Sequence, residues 1–138
     1  MGKRLFEIVT DSSCDLPEEY YKEHGLECIH LGFLMDGTNY EGEDGERIDA
    51  KAFYAKLRAG AMPTTYQVTA EAAKTHFEKF LSAGRDVLVL AFSSGLSGTE
   101  GSYRVAAKEL KEKYPDRTVL VVDSLCASMG EGLFVDYV

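Results

Sequence analysis

A chain of 138 residues has room for one domain with a real core, and 45% hydrophobic against 28% charged residues is the balance of a globular protein. Fifteen basic against twenty-three acidic residues leave a net charge of −8, which excludes the basic footprint of a nucleic-acid surface and argues against docking on an anionic membrane. No apolar run approaches the ~20 residues of a membrane span, so no stable membrane insertion is expected. The opening MGKRLFEIVTDSS has no signal-peptide core, and Phe6 rules out a myristoylation signal. Cys14, Cys28 and Cys126 are odd in number, widely spaced and lack a CxxC pair. They read as reduced thiols of a cytoplasmic protein, without a disulfide or metal role.

In chain order, RLFEIVT (4–10) is a β-rich run ending in the polar turn DSSCD. Asp15 is placed to N-cap a helix over LPEEYYKEHG (16–25), with Pro17 in its first turn, Glu18 at the box position and Gly25 as the stop. LECIHLGFLM (26–35) reads as one strand turned by Asp36 and Gly37, and NYEGEDGERI (39–48) as irregular chain or an edge hairpin. Asp49 caps a helix over 50–60, in which Phe53, Tyr54 and Leu57 fall at helical spacing. Residues 61–69 read as a loop. Thr69 then caps a helix over 70–84, whose apolar face is Ala73, Phe77, Phe80 and Leu81. DVLVLAF (86–92) is a strand, 97–114 a helix and RTVLVVD (117–123) a strand. GEGLFVDYV (130–138) opens a further helix whose apolar face has no later partner, so the chain is expected to be the first part of a larger protein.

Runs such as VLVLAF and TVLVV lack the polar-every-second pattern of a one-faced sheet. The expected fold is therefore α/β: a three-layer unit with a mainly parallel four-stranded sheet and helices on both faces. The runs at 4–10 and 86–92 are expected to be neighbours at its centre.

Ligands of such sheets sit outside the carboxyl ends of the strands, where strand order reverses. Those ends carry TDSSCD (10–15), SSGLSGT (93–99) and DSLCAS (123–128), all rich in hydroxyls. Nucleotide motifs fail in detail: five residues after Gly95, where a P-loop needs Gly-Lys, stands Glu100 with no lysine near, and Ser97 stands where a dinucleotide fingerprint needs glycine. GxSxG fails because Thr99 replaces its last glycine, and His24, His30 and His76 fall on helices or a strand, away from the hydroxyl-rich edge. No catalysis is expected. The acids Glu41, Glu43, Asp44 and Glu46 lack EF-hand spacing and read as a solvated loop. What remains is a Gly-Ser loop opening a helix, whose amides and hydroxyls suit a carboxylate or a phosphate.

IVTDSSCDLP (8–17), MPTTYQVT (62–69), VLVLAFSSGLSGTEGS (87–102) and VVDSLCASMGEGL (121–133) resemble, in this order and near this spacing, the DegV family of bacterial fatty-acid-binding proteins. The resemblance implies that 4–138 is a DegV-like N-terminal α/β domain, with the family's C-terminal domain absent from this chain. In the family a fatty acid lies between the two domains, its carboxylate held by a Thr from a TSQPS-type loop and a Ser from the SSxLSGT loop. Carried over, these are Thr65 and Ser94, with Ser93 and Gly95 beside them and Asp11, Ser12, Thr64, Gln67 and Ser97 as further pocket candidates. Tyr66 stands where the family loop has a small serine and Val68 where it has proline, so either Thr64 takes the role of Thr65 or Tyr66 reshapes the pocket.

The same resemblance implies a long-chain fatty acid (C14–C18) as ligand and no cofactor. It implies a fatty acid kinase as partner, phosphorylating the bound carboxylate for phospholipid synthesis, with this protein the carrier and not the phosphotransferase. Hydroxyl donors hold a carboxylate without burying a cation, which fits that role. Ser102, a turn further along the helix, is expected to play no part. The rival readings are an enzyme acting on a phosphorylated small molecule at the same loops, and a regulatory binding domain.

Overall fold

The computed structural model describes residues 6–138; Arg4 and Leu5 of the first predicted strand lie outside that range. In chain order its elements are β1 (Phe6–Asp11), α1 (Glu18–His24), β2 (Glu27–Ile29), β3 (Gly32–Met35), β4 (Thr38–Glu41), α2 (Ala50–Arg58), β5 (Thr64–Tyr66), α3 (Ala70–Leu81), β6 (Asp86–Ala91), α4 (Thr99–Lys113), β7 (Val119–Asp123) and α5 (Ser128–Tyr137). A single 3-10 turn, Ser12–Cys14, follows β1.

The β-branched and leucine-rich runs form a wholly parallel four-stranded sheet in the order β2-β1-β6-β7. Val9 pairs with Val89 and Val89 with Val121, so the expected central pair is in place. Alternation along the strands sends Val9, Val87, Val89, Ala91 and Val121 to one face. There they meet Ala73, Phe77 and Leu81 of α3 and Tyr103, Ala106 and Leu110 of α4 in one continuous core. On the opposite face Thr10 and Leu90 are fully buried, while Phe6 and Leu120 are exposed. Among the described residues no helix is long and apolar enough to cross a membrane.

Three expectations need correction. The run 26–35 is two strands, because the Leu31 amide leaves the ladder and donates to Ser12 Oγ at 3.0 Å. β2 stays in the parallel sheet, whereas β3 joins a separate antiparallel sheet in the order β4-β3-β5. Residues 61–69 are not wholly loop, since Thr64–Tyr66 pairs with β3. A three-residue strand shows no alternation of its own, and its partner lies some thirty residues earlier. Asp15 does not cap α1: it closes the 3-10 turn at φ 54, and Pro17 holds the N-cap position without a side-chain bond. Proline bars the helical region to the residue before it, which delays the helix to Glu18.

The acidic segment resolves in favour of a hairpin, with Asp36 and Gly37 both at positive φ between β3 and β4. Asp49 and Thr69 cap α2 and α3 as expected, accepting from the Ala52 and Ala72 amides at 3.0 and 3.2 Å. The small sheet is fastened by aromatic contacts. Phe33 stacks on Tyr40 and meets Phe53 of α2 edge to face, with ring centroids 5.3 and 5.1 Å apart.

Candidate functional site

Strand order reverses between β1 and β6, so the loops after β1, β6 and β7 gather at one edge of the sheet. The loop after β6 is tied inward at several points. The Ser93 amide donates to the Cys126 carbonyl at 3.1 Å, joining it to the loop after β7. The Ser93 hydroxyl accepts the Gly95 amide at 3.2 Å, and its carbonyl takes the Leu96 and Ser97 amides. Ser97 Oγ accepts the Thr99 amide at 3.2 Å and donates to Thr99 Oγ1 at 2.9 Å, closing the first turn of α4. The loop amides expected to point at a ligand are therefore largely engaged within the loop. Ser93 and Ser97 shape it.

Ser94 is different. It is exposed, and its amide donates to Asp123 Oδ1 at 3.1 Å, an oxygen that also takes the Leu125 amide at 3.0 Å. The Ser94 hydroxyl faces the same carboxylate and is the main cause holding the Asp123 carboxyl below the usual range. Two apolar side chains flank this point. Leu96 is 68% exposed, and Leu125, held at φ 53, is 75% exposed. A left-handed conformation is uncommon for leucine, and the Asp123 bond to its amide braces it.

Thr64 and Thr65 are exposed on β5, with Thr65 opposite Phe33. The next residues carry this segment to the Ser94 loop. The Gln67 side chain lies across Gly98, where a Cβ would come within 2.1 Å of its Oε1, and its Nε2 donates to Ser102 Oγ at 3.3 Å. The Val68 amide donates to Thr99 Oγ1 at 3.3 Å. Thus β5 and the Ser94 loop adjoin at the N-terminus of α4, through Gln67 and Val68. Ser102, expected to be idle, holds Gln67 and is no neutral control. The Tyr66 ring packs over Gly32 on the far side, forming one wall of an open cleft of about 550 Å³ with His30, Gly42, Glu43 and Asp44. That cleft carries the acids Glu43, Asp44 and Glu71 and is lined by neither Thr65 nor Ser94.

Beneath the edge lies a buried polar network. Asp11 is fully buried, with Oδ2 accepting the Phe92 amide at 3.0 Å and the Tyr103 hydroxyl at 3.3 Å. Its Oδ1 accepts the Ser13 amide at 3.3 Å and also contacts Ser13 Oγ. Ser13 Oγ in turn lies 2.7 Å from Oε2 of Glu131, another fully buried acid. Burial, then the nearby Asp11 charge, pushes the Glu131 carboxyl up to about 8. Burial also raises Asp11, against the pull of its Ser13, Phe92 and Tyr103 donors. Ser12 has no place in this network, its hydroxyl being used on Leu31.

The family model "Uncharacterised protein, DegV family" matches residues 5–138. The chain belongs to the DegV family. It is 42% identical over 134 residues to a DegV domain-containing protein of Clostridium perfringens, covering 97% of this chain and 46% of that one. Among solved structures it is similar to a stearic acid-binding protein of Eubacterium ventriosum, with TM-score 0.86 and 29% identity over 95% of this chain and 45% of the other. It is also similar to a fatty-acid-binding DegV family protein of Thermus thermophilus, with TM-score 0.81, 35% identity and coverage of 96% and 45%. The chain thus spans about half the length of the curated relatives it matches.

In this DegV chain three functional candidates were missed by sequence reasoning. Asp123 lies within a hydroxyl-rich strand end, but its bond to Ser94 depends on β6 and β7 being adjacent. Tyr103 and Glu131 sit on helical positions that read as ordinary. The signal that could have found Glu131 is an acid set between two glycines, Gly130 and Gly132, just ahead of the apolar run Leu133, Phe134 and Val135.

Proposed function

We propose that this chain holds the carboxylate of a long-chain fatty acid (C14–C18) at Ser94 and Thr65, and offers it to a fatty acid kinase. The observation that carries the reading is the exposed Ser94 hydroxyl at the β1–β6 switch point, flanked by exposed Leu96 and Leu125. A donor beside apolar side chains matches a ligand with a charged head and a hydrocarbon tail. Membership of the DegV family and similarity to fatty-acid-binding structures support the same reading. On this view the Ser94 hydroxyl turns its one hydrogen from Asp123 to the ligand carboxylate when the acid binds, while the Ser94 and Leu125 amides keep Asp123 in place. Hydroxyl donors hold the head group without a salt bridge, so its oxygens stay open to a phosphoryl donor. The protein is a carrier, acting in the cytoplasm in phospholipid synthesis, and 4–138 serves as the head-group half of a two-domain binding protein. Thr65 is taken as the second donor on the family motif, and the bonds of Gln67 and Val68 to Ser102 and Thr99, which bring this segment beside the Ser94 loop, support a role for β5 there.

Organic extracts of the protein purified from bacteria test this. Mass spectrometry should find long-chain acids in near-stoichiometric amount, and a fatty acid kinase with ATP should convert them to acyl phosphate, trapped as the hydroxamate by hydroxylamine. Extracts free of fatty acid, with none taken up on addition, would overturn the reading.

A further inference from the structure

The Ser13 hydroxyl has one hydrogen, yet it lies within hydrogen-bond reach of two buried acids, Asp11 and Glu131. Both contacts can be satisfied only if one acid carries a proton. The partners decide which. Asp11 takes the Phe92 and Ser13 amides and the Tyr103 hydroxyl on its two oxygens, an acceptor set suited to an ion. Glu131 has Ser13 on Oε2, and among the described residues its buried Oε1 has no partner at all. An ionised Glu131 would leave a charge buried beside a second one, without donors.

We infer that Glu131, as the neutral acid, is a positioning residue for the Ser94 loop: it donates to Ser13, Ser13 donates to Asp11, and the Asp11 carboxylate fixes the Phe92 amide two residues before Ser94. The chain of bonds runs from α5 through the 3-10 turn to the end of β6, and Tyr103 adds α4 to it. It joins the elements that flank the head-group edge. Among the described residues the titratable groups facing Glu131 are Asp11 on β1, Cys14 and Asp15 in and after the 3-10 turn, and Tyr103 on α4, none of them a cation. Among these residues ionisation of Glu131 meets no compensating charge, and it breaks the one arrangement in which Ser13 serves both acids. The elevated Glu131 carboxyl agrees with this. Calling the loop a head-group site rests on the proposed function; the positioning does not.

Amide hydrogen exchange at Phe92 in this chain, expressed as a protection factor, reads the coupling directly. An opening that frees Glu131 releases its proton, so protection should fall by up to about tenfold per pH unit between about pH 6 and 8, then level off. Glu131→Gln keeps a neutral donor toward Ser13 and should abolish that slope while leaving protection at about pH 6 within a few-fold of the unaltered chain. In the unaltered chain, the ¹³C shift of the Glu131 carboxyl should move near pH 8 and not near 4.5. A pH-independent Phe92 amide, the same slope in Glu131→Gln, or a Glu131 carboxyl titrating in the ordinary range would each overturn the inference. Stearate titrated into the same samples separates the two claims. Absent binding with the expected exchange pattern would sink the head-group reading and uphold the positioning.

Discussion

Replacing Tyr103 by Phe removes one donor from a buried carboxylate and changes little else. Tyr103 has no exposed surface, and its ring packs on Phe77 with centroids 5.8 Å apart, a contact Phe keeps. What is lost is the 3.3 Å bond from its hydroxyl to Asp11 Oδ2. Hydrogen bonds to charged groups are worth ~1.5–3 kcal/mol, and a bond at the long end of the range belongs near ~1.5. Asp11 keeps the Phe92 and Ser13 donors, so the site is weakened and not orphaned. With an unfolding entropy of roughly 2.1 cal/mol/K per residue, a chain of 138 residues should lose about 5 °C in Tm. Urea unfolding at neutral pH should give the same ~1.5 kcal/mol without a change in slope. In an Asp11→Asn background the substitution should lose most of its effect, because the charge that strengthened the bond is gone. A loss below ~0.3 kcal/mol, or an equal loss in both backgrounds, would refute the assignment of Tyr103 to the Asp11 anion.

Two further perturbations follow from the packing and from the charges. At Gly132 in α5 an added Cβ would lie 2.7 Å from the Cys14 carbonyl oxygen, which is backbone and gives little. Gly132→Ala should destabilise by ~1–3 kcal/mol although alanine favours a helix, and chemical denaturation showing a gain would contradict that close approach. His76 contacts Glu27 through Nδ1 and Glu43, in the acidic hairpin, through Nε2 at 2.8 Å, so both ring nitrogens must donate. Burial alone would lower its pKa, but the bonds to Glu27 and Glu43 prevail and raise it. Its stabilisation is thus complete below the ordinary histidine range and lost as pH rises through the raised value. His76→Gln should lower stability by ~1 kcal/mol or more near pH 6 and by little near pH 9, and thermal melts at the two pH values giving equal losses would refute the ion pairs.

The parallel sheet was legible because its strands are apolar on both faces: TVLVV and VLVLAF admit few other readings. Thr69 and Asp49 were legible as caps for a local reason, since the cap and the amide it accepts lie within one turn. The small antiparallel sheet was not legible. Its strand β5 is three residues long, and the break between Ile29 and Gly32 is imposed by Ser12, some twenty residues earlier. Ser94 and Thr65 are candidates through the motifs that hold them, whereas the bonds around them were not legible. Asp123 reaches Ser94 across β6 and β7, Gln67 reaches Ser102 across the junction of β5 with α4, and Glu131 reaches Asp11 through Ser13 from the last helix. Each link joins residues some thirty or more positions apart, and side-chain identity alone does not announce them.

Calorimetric titration of stearate into the chain stripped of lipid, alongside Ser94→Ala and Thr65→Val, tests the head-group site most directly. Because Ser94 also faces Asp123, its hydroxyl should contribute at the lower end of a charged hydrogen bond, so Ser94→Ala should weaken binding about tenfold. Thr65→Val, which keeps shape and loses the hydroxyl, should weaken it by about tenfold or more. The pair should be less than additive, since on the proposed reading both would grip one carboxylate. An unaltered affinity in both variants would place the carboxylate elsewhere and contradict the account.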